Sequence, residues 1–144
     1  MNAAPATILL IEDDLVYTRL IEKHFQRAGI ANEIINISSG AKALAHLFER
    51  GEEAKAEPIL VLLDLNLPDM NGVDILTRIK ADPALKQAPV VVLTTSNDSE
   101  ETRQCYDLGC NMFLTKPAEY SGFAALISQL HPFLDPPRAP PAEP

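Results

Sequence analysis

Cysteine is scarce in this chain of 144 residues: Cys105 and Cys110 are the only two, in neither CxxC nor disulfide-framework spacing. That excludes a disulfide-stapled secreted scaffold and leaves two reduced thiols, as expected of a cytoplasmic protein. Long hydrophobic runs are missing as well. None approaches the ~20 residues that span a bilayer, and the amino terminus MNAAPATILLIEDD lacks the basic region and long apolar stretch of a signal peptide. Positive charge is short, with 12 Lys and Arg against 20 Asp and Glu, a formal net charge of -8 and a pI near 4.8. This balance argues against nucleic-acid binding and against docking on anionic membranes. The length suits one domain able to bury a core without metal or disulfide staples.

What the chain does have is apolar runs of strand length, each closed by polar or turn residues. Ile59–Leu63 is the clearest: five apolar residues lead into Asp64, and Asn66, Pro68, Asp69, Asn71 and Gly72 then turn the chain. Thr7–Ile11 ends in Glu12-Asp13-Asp14, Pro89–Leu93 opens into Thr94-Thr95-Ser96, and Met112–Thr115 runs into Lys116-Pro117; Glu33–Ile37 is a short β-branched run. Between them lie helical stripes over Leu15–Ala28, Ser39–Arg50, Val73–Ala81, Glu100–Leu108 and Glu119–Phe133. In the first, Tyr17, Leu20, Ile21, His24, Phe25 and Ala28 share the inward face, so His24 reads as a packing residue, and Asp14 reads as the N-cap.

Strand–helix alternation with parallel-type apolar strands predicts an α/β fold, a doubly wound five-stranded parallel sheet of flavodoxin-like order 2-1-3-4-5 with helices on both faces. The expected organisation is an N-terminal extension over 1–6, the domain over 7–133 and an arm over 134–144. Six prolines between His131 and Pro144 make that arm polyproline-II-like or disordered.

In that order the first and third strands are neighbours, so Glu12, Asp13 and Asp64 converge at their carboxyl ends, with Thr94 and Lys116 on the same rim. Clustered carboxylates repel, by about 4 kcal/mol for a pair ~4 Å apart at an effective dielectric near 20. Such a cluster persists around a hard cation, and an all-oxygen site with open positions suits Mg²⁺. Asp13 and Asp64 are the expected direct ligands, with Glu12 acting through water. Asp64 is the expected nucleophile, to be phosphorylated; Lys116 would pair with a phosphoryl oxygen and Thr94 would donate its hydroxyl to another.

The combination Glu12-Asp13, Asp64, Thr94-Thr95 and Lys116-Pro117 resembles the receiver domains of bacterial two-component response regulators, over about Thr7 to Phe133. Within them LLDLNLPDMNG, RIKADPALK, VVVLTTSND and FLTKPAEY are most similar to the single-domain receivers paired with phytochrome-type histidine kinases. The resemblance implies a histidine kinase as partner and no enzymatic activity beyond self-catalysed phosphotransfer and autodephosphorylation. It adds the backbone carbonyl of Asn66 to the metal ligands and a cis Lys116–Pro117 bond that aims the ammonium into the crevice. It makes Phe113, with Thr94, the switch. Many relatives have tyrosine there, so here only packing can report. The readout face implied is the fourth helix, fifth strand and fifth helix, around Tyr106, Phe113 and Phe123. A homodimer is expected through that face, with Phe133 and Leu134 carrying the proline-rich arm onto the second protomer. Two other classes stand beside this one. A pseudo-receiver would bind protein without phosphorylation. A haloacid-dehalogenase-type phosphatase would need a second acid where Asn66 stands.

Overall fold

Register, more than composition, decides what this sheet presents to its two faces. The computed structural model describes residues 5–49, 51, 55, 57–96 and 98–134. Its strands are β1 (Thr7–Ile11), β2 (Ile34–Ile37), β3 (Ile59–Leu63), β4 (Val90–Thr94) and β5 (Met112–Thr115). All pair in parallel, in the order β2-β1-β3-β4-β5. The helices are α1 (Leu15–Arg27), α2 (Gly40–Phe48), α3 (Gly72–Ala81), α4 (Ser99–Leu108) and α5 (Gly122–Leu130), and a 3₁₀ turn over His131–Phe133 follows. The doubly wound five-stranded sheet anticipated from the apolar runs is the architecture observed.

Successive strand residues point to opposite faces, and the core divides accordingly. Leu9, Ile11, Val61, Leu63, Val90 and Val92 pack with Ala43, Leu47, Ile75, Leu76, Ile79 and Cys105 from α2, α3 and α4. Ile8, Leu10, Leu60, Leu62, Val91 and Leu93 pack with Tyr17, Ile21, Phe25, Phe123, Leu126, Ile127 and Leu130 from α1 and α5. The three central strands are buried on both sides, which is why they read as continuous apolar runs.

Helix ends follow local chemistry. The Asp14 carboxylate accepts from the backbone N–H groups of Val16 and Tyr17, at 3.0 and 3.2 Å. Gly109, at φ 107°, closes α4: its N–H bonds the Tyr106 carbonyl and the Cys110 N–H bonds the Cys105 carbonyl. This double-bonded cap sets Cys105 and Cys110 at the two positions whose side chains usually meet. Both thiols are free and buried, and burial pushes Cys110 up to about 11.

Most element bounds move by a residue or two, and some departures from expectation change what packs where. Helix α1 stops one residue early, and Ala28 is its exposed cap rather than part of the inward face. Helix α5 starts at Gly122 rather than Glu119. The residues before it form a tighter turn, in which the Gly122 N–H bonds the Glu119 carbonyl at 3.0 Å and the Phe123 N–H bonds the Tyr120 carbonyl at 3.2 Å. Gly122 itself comes so close to Pro117 that an added Cβ would lie 2.8 Å from the Pro117 Cβ. Phe123 belongs to the α1–α5 core at 3% exposure and is not on the face of Tyr106 and Phe113. Leu134, assigned to the arm, is 4% exposed in the same core. Its carbonyl accepts from the Ala6 N–H at 3.1 Å and from Asn32 Nδ2 at 2.9 Å. The prolines of the arm at 136, 137, 140, 141 and 144 lie outside the described residues, as do residues 1–4 of the extension.

Candidate functional site

Strands β1 and β3 run side by side with Leu10 opposite Leu62 and Ile11 opposite Leu63, so the next pair along is Glu12 beside Asp64. The Asp64 N–H bonds the Ile11 carbonyl at 3.1 Å, and that of Glu12 bonds the Ile37 carbonyl at 3.0 Å. Both carboxylates are nearly buried, at 2% exposure for Glu12 and 5% for Asp64, whereas Asp13 on the turn is exposed. One carboxylate oxygen from each of Glu12, Asp13 and Asp64 can be chosen so that all three lie within 4.8 Å of one another. Oxygen donors at that spacing fit a hard divalent cation.

Lys116, just past the end of β5, reaches into the cluster. Its Nζ is 2.6 Å from Glu12 Oε1 and 3.6 Å from Asp64 Oδ2, and it sits 4.5 Å from the centroid of the Tyr17 ring. The mutual repulsion of the acids is thus partly answered within the chain. No peptide bond among the described residues is cis, so the expected cis Lys116–Pro117 bond is not found, and the ammonium enters the crevice from a trans bond. Both oxygens of Glu12 are engaged, Oε2 accepting the Asp14 N–H at 3.0 Å. Burial raises the Glu12 carboxyl above its ordinary value; Lys116 and the Asp14 N–H oppose this, and Asp64 adds to it.

Thr94, fully buried, ends β4 on the same rim. Its hydroxyl oxygen is 3.4 Å from both Asn66 Nδ2 and the Ser96 backbone nitrogen. The Asn66 N–H points to Asp64 Oδ1 at 3.3 Å. Phe113 is half-buried against the α2–α4 side of the core. Its backbone N–H donates to the hydroxyl of Tyr106 on α4, at 3.0 Å. A tyrosine hydroxyl therefore stands beside position 113 although the side chain there has none. His24 is a packed residue, its ring stacked on Phe123 at 4.7 Å with Nδ1 2.7 Å from the Leu20 carbonyl oxygen.

Two residues shortly after Asp64 carry more than their local sequence suggests. Asp69, which reads as a plain turn residue, accepts the Gly40 and Ala41 N–H groups at 2.8 and 2.9 Å and so joins this loop to the start of α2. These amides hold its carboxyl below the ordinary aspartate value. A lowered carboxyl contributes stability that is complete above its unfolded value, near 3.8, and is lost as pH falls through the folded one. Melting curves should therefore show a smaller loss between about pH 5 and pH 3 for Asp69→Asn than for the wild type, because the amide does not titrate. Gly72 matters for clearance: a Cβ there would meet the Asp64 carbonyl oxygen at 2.5 Å and Leu65 Cα at 2.9 Å. Neither contact has a signal in local sequence, since both depend on how the loop folds back.

Known proteins show the same arrangement of chain. A response regulator receiver domain from Rhodospirillum rubrum is 51% identical, with a TM-score of 0.81 over 87% of this chain and 90% of its own. The phosphorylated cyanobacterial phytochrome response regulator RcpA is 38% identical, with a TM-score of 0.80 over 91% of this chain and 94% of its own. Response regulator Rcp1 of Synechocystis sp. is 38% identical over 130 residues, 90% of this chain and 88% of its own. A Mn(2+)-bound form of Rcp1 superimposes with a TM-score of 0.79 at 36% identity, over 94% of this chain and 99% of that one. Residues 8–128 match the family described as the response regulator receiver domain, and the chain belongs to that family.

Proposed function

We propose that this receiver domain accepts a phosphoryl group on Asp64 from a histidine kinase. The observation that carries the reading is the convergence of Asp64 with Glu12, Asp13 and Lys116 at one strand-end crevice. In the transfer, an Asp64 carboxylate oxygen attacks phosphorus, the bond from phosphorus to the kinase imidazole nitrogen breaks, and an acyl phosphate forms on Asp64. Asp13, Asp64 and the Asn66 carbonyl would hold Mg²⁺, with Glu12 acting through water, consistent with both Glu12 oxygens being engaged already. When bound, the ion supplies charge neutralisation between Asp64 and the incoming phosphoryl oxygens. The Mn(2+)-bound form of Rcp1 supports a divalent cation in this family. Lys116 swings from Glu12 to a phosphoryl oxygen, and Thr94 turns its hydroxyl toward another.

The inward turn of Thr94 frees space beside β4 for Phe113, and helix α4, strand β5 and helix α5 report the change, by dimerisation of two copies. The likeness to RcpA supports a phytochrome-type kinase as the donor. The cytoplasm is the proposed location; no helix among the described residues is long and apolar enough to cross a membrane.

Beryllofluoride, a phosphoryl mimic, tests the reading. With Mg²⁺ it should shift the amide NMR signals of Asp64, Thr94 and Phe113 and move the protein toward a dimer in sedimentation. Without Mg²⁺ neither should change. Spectra that stay constant under both conditions would instead support a pseudo-receiver, a binding module of this fold without phosphorylation.

A further inference from the structure

We propose that Tyr17 is a positioning residue for Lys116 in phosphoryl transfer, a step that rests on Asp64 being the phosphoacceptor. Tyr17 lies in the first turn of α1, 8% exposed, with its ring 4.5 Å from the Lys116 ammonium. At that separation the negative face of the ring attracts the cation. In the structure the ammonium rests on Glu12, 2.6 Å away, and stands 3.6 Å from Asp64. To meet a phosphoryl oxygen it must leave Glu12. A lysine side chain is flexible and its ammonium is a point charge without a fixed direction. The ring offers it a seat that imposes no hydrogen-bond direction, so the ammonium can turn from one oxygen to the other without leaving contact.

The seat is itself held in place. The Tyr17 ring packs on Phe123 of α5 at 5.5 Å, and Phe123 stacks on His24 of α1 at 4.7 Å. Among the described residues the Tyr17 hydroxyl, itself buried, has no hydrogen-bond partner. The ring, and not the hydroxyl, is therefore the working part. Burial and the nearby Glu12 and Asp64 carboxylates push the phenol above its ordinary value, which keeps the ring neutral.

The test compares two variants of the full chain in Mg²⁺ with acetyl phosphate as the phosphoryl donor. Tyr17→Leu keeps apolar bulk without the ring and should slow phosphorylation of Asp64 about tenfold, because an ammonium without its seat is misplaced for the phosphoryl oxygen. Tyr17→Phe keeps the ring and should recover most of that rate. A direct readout is the NMR shift of the Lys116 ε-methylene protons. They should be displaced upfield by the ring in wild type and in Tyr17→Phe, and not in Tyr17→Leu. An undisplaced methylene in wild type would overturn the proposal, even if the leucine variant fails to fold. So would a wild-type rate in Tyr17→Leu, or an equal loss in both variants. If wild type takes no phosphoryl group at all, the reading of Asp64 fails instead, and the methylene shift still decides whether the ring seats Lys116.

Discussion

Asp64→Asn is expected to reduce covalent phosphoryl incorporation to background while leaving the protein folded. A carboxamide oxygen is not a carboxylate nucleophile, and neither neighbouring acid is placed to take over. Glu12 is engaged through both oxygens, and Asp13 is exposed on the turn beyond the strand end. Stability should survive for electrostatic reasons. Asp64 pushes the Glu12 carboxyl up and so opposes its charge; a neutral amide removes that opposition and can still accept the Asn66 N–H. The melting temperature of the metal-free variant should be no lower than that of wild type. Phosphotransfer from a candidate kinase, scored by intact mass, gives the first number and calorimetry the second. A variant that still accumulates phosphate would move the acceptor elsewhere. A variant that unfolds would leave the loss without a chemical meaning.

Gly72→Ala should do the reverse, harming fold and site together. The added methyl would lie 2.5 Å from the Asp64 carbonyl oxygen, 2.9 Å from Leu65 Cα and 3.2 Å from the Asp64 carbonyl carbon, all of them backbone atoms that cannot rotate aside. The chain must shift, stretching the bond from the Gly72 N–H to the Leu65 carbonyl, 2.8 Å long. Overpacking of this kind costs about 1–3 kcal/mol, and the better helix propensity of alanine returns up to ~1 kcal/mol of it. At roughly 3 °C per kcal/mol for a domain of this size, the melting temperature should fall by several degrees. The moving atoms are those that aim Asp64. A displacement approaching 1 Å can cost a reacting centre about 10²-fold, so phosphorylation of the folded variant should drop by one to two orders of magnitude. Gly51→Ala is the control, since no atom of the described residues lies within 4 Å of a Cβ there and its φ is outside the left-handed region.

These two substitutions mark where the sequence is readable and where it is not. Asp64 can be found because a strand buried on both faces leaves an unbroken apolar run, and a charge at its end has one place to go. Glu12 can be set beside it because strand order and side-chain alternation fix the face. Thr94 and Lys116 follow from the same rule applied to β4 and β5. Gly72 looks like a turn glycine, but its φ is ordinary and its reason is the approach of a strand end eight residues earlier in the chain. Asp69 looks like a turn residue too, because its partners at Gly40 and Ala41 are set by packing between α2 and the loop. Phe123, set with Tyr106 and Phe113 by the resemblance, packs instead in the core between α1 and α5. Helical periodicity gives a residue's position around its own axis, and not which face of the sheet the helix covers.

The bond from the Phe113 amide to Tyr106 has a consequence for how two copies could meet. Strand β5 is a border of the sheet, and borders invite another chain to extend the ladder, as in aggregation. With a phenol oxygen from α4 already occupying this outward amide, the border is blunted. A neighbour that paired main chain to main chain at this point would have to displace the phenol, which favours recognition through side chains and keeps such an encounter reversible, as a signal that must be switched off requires.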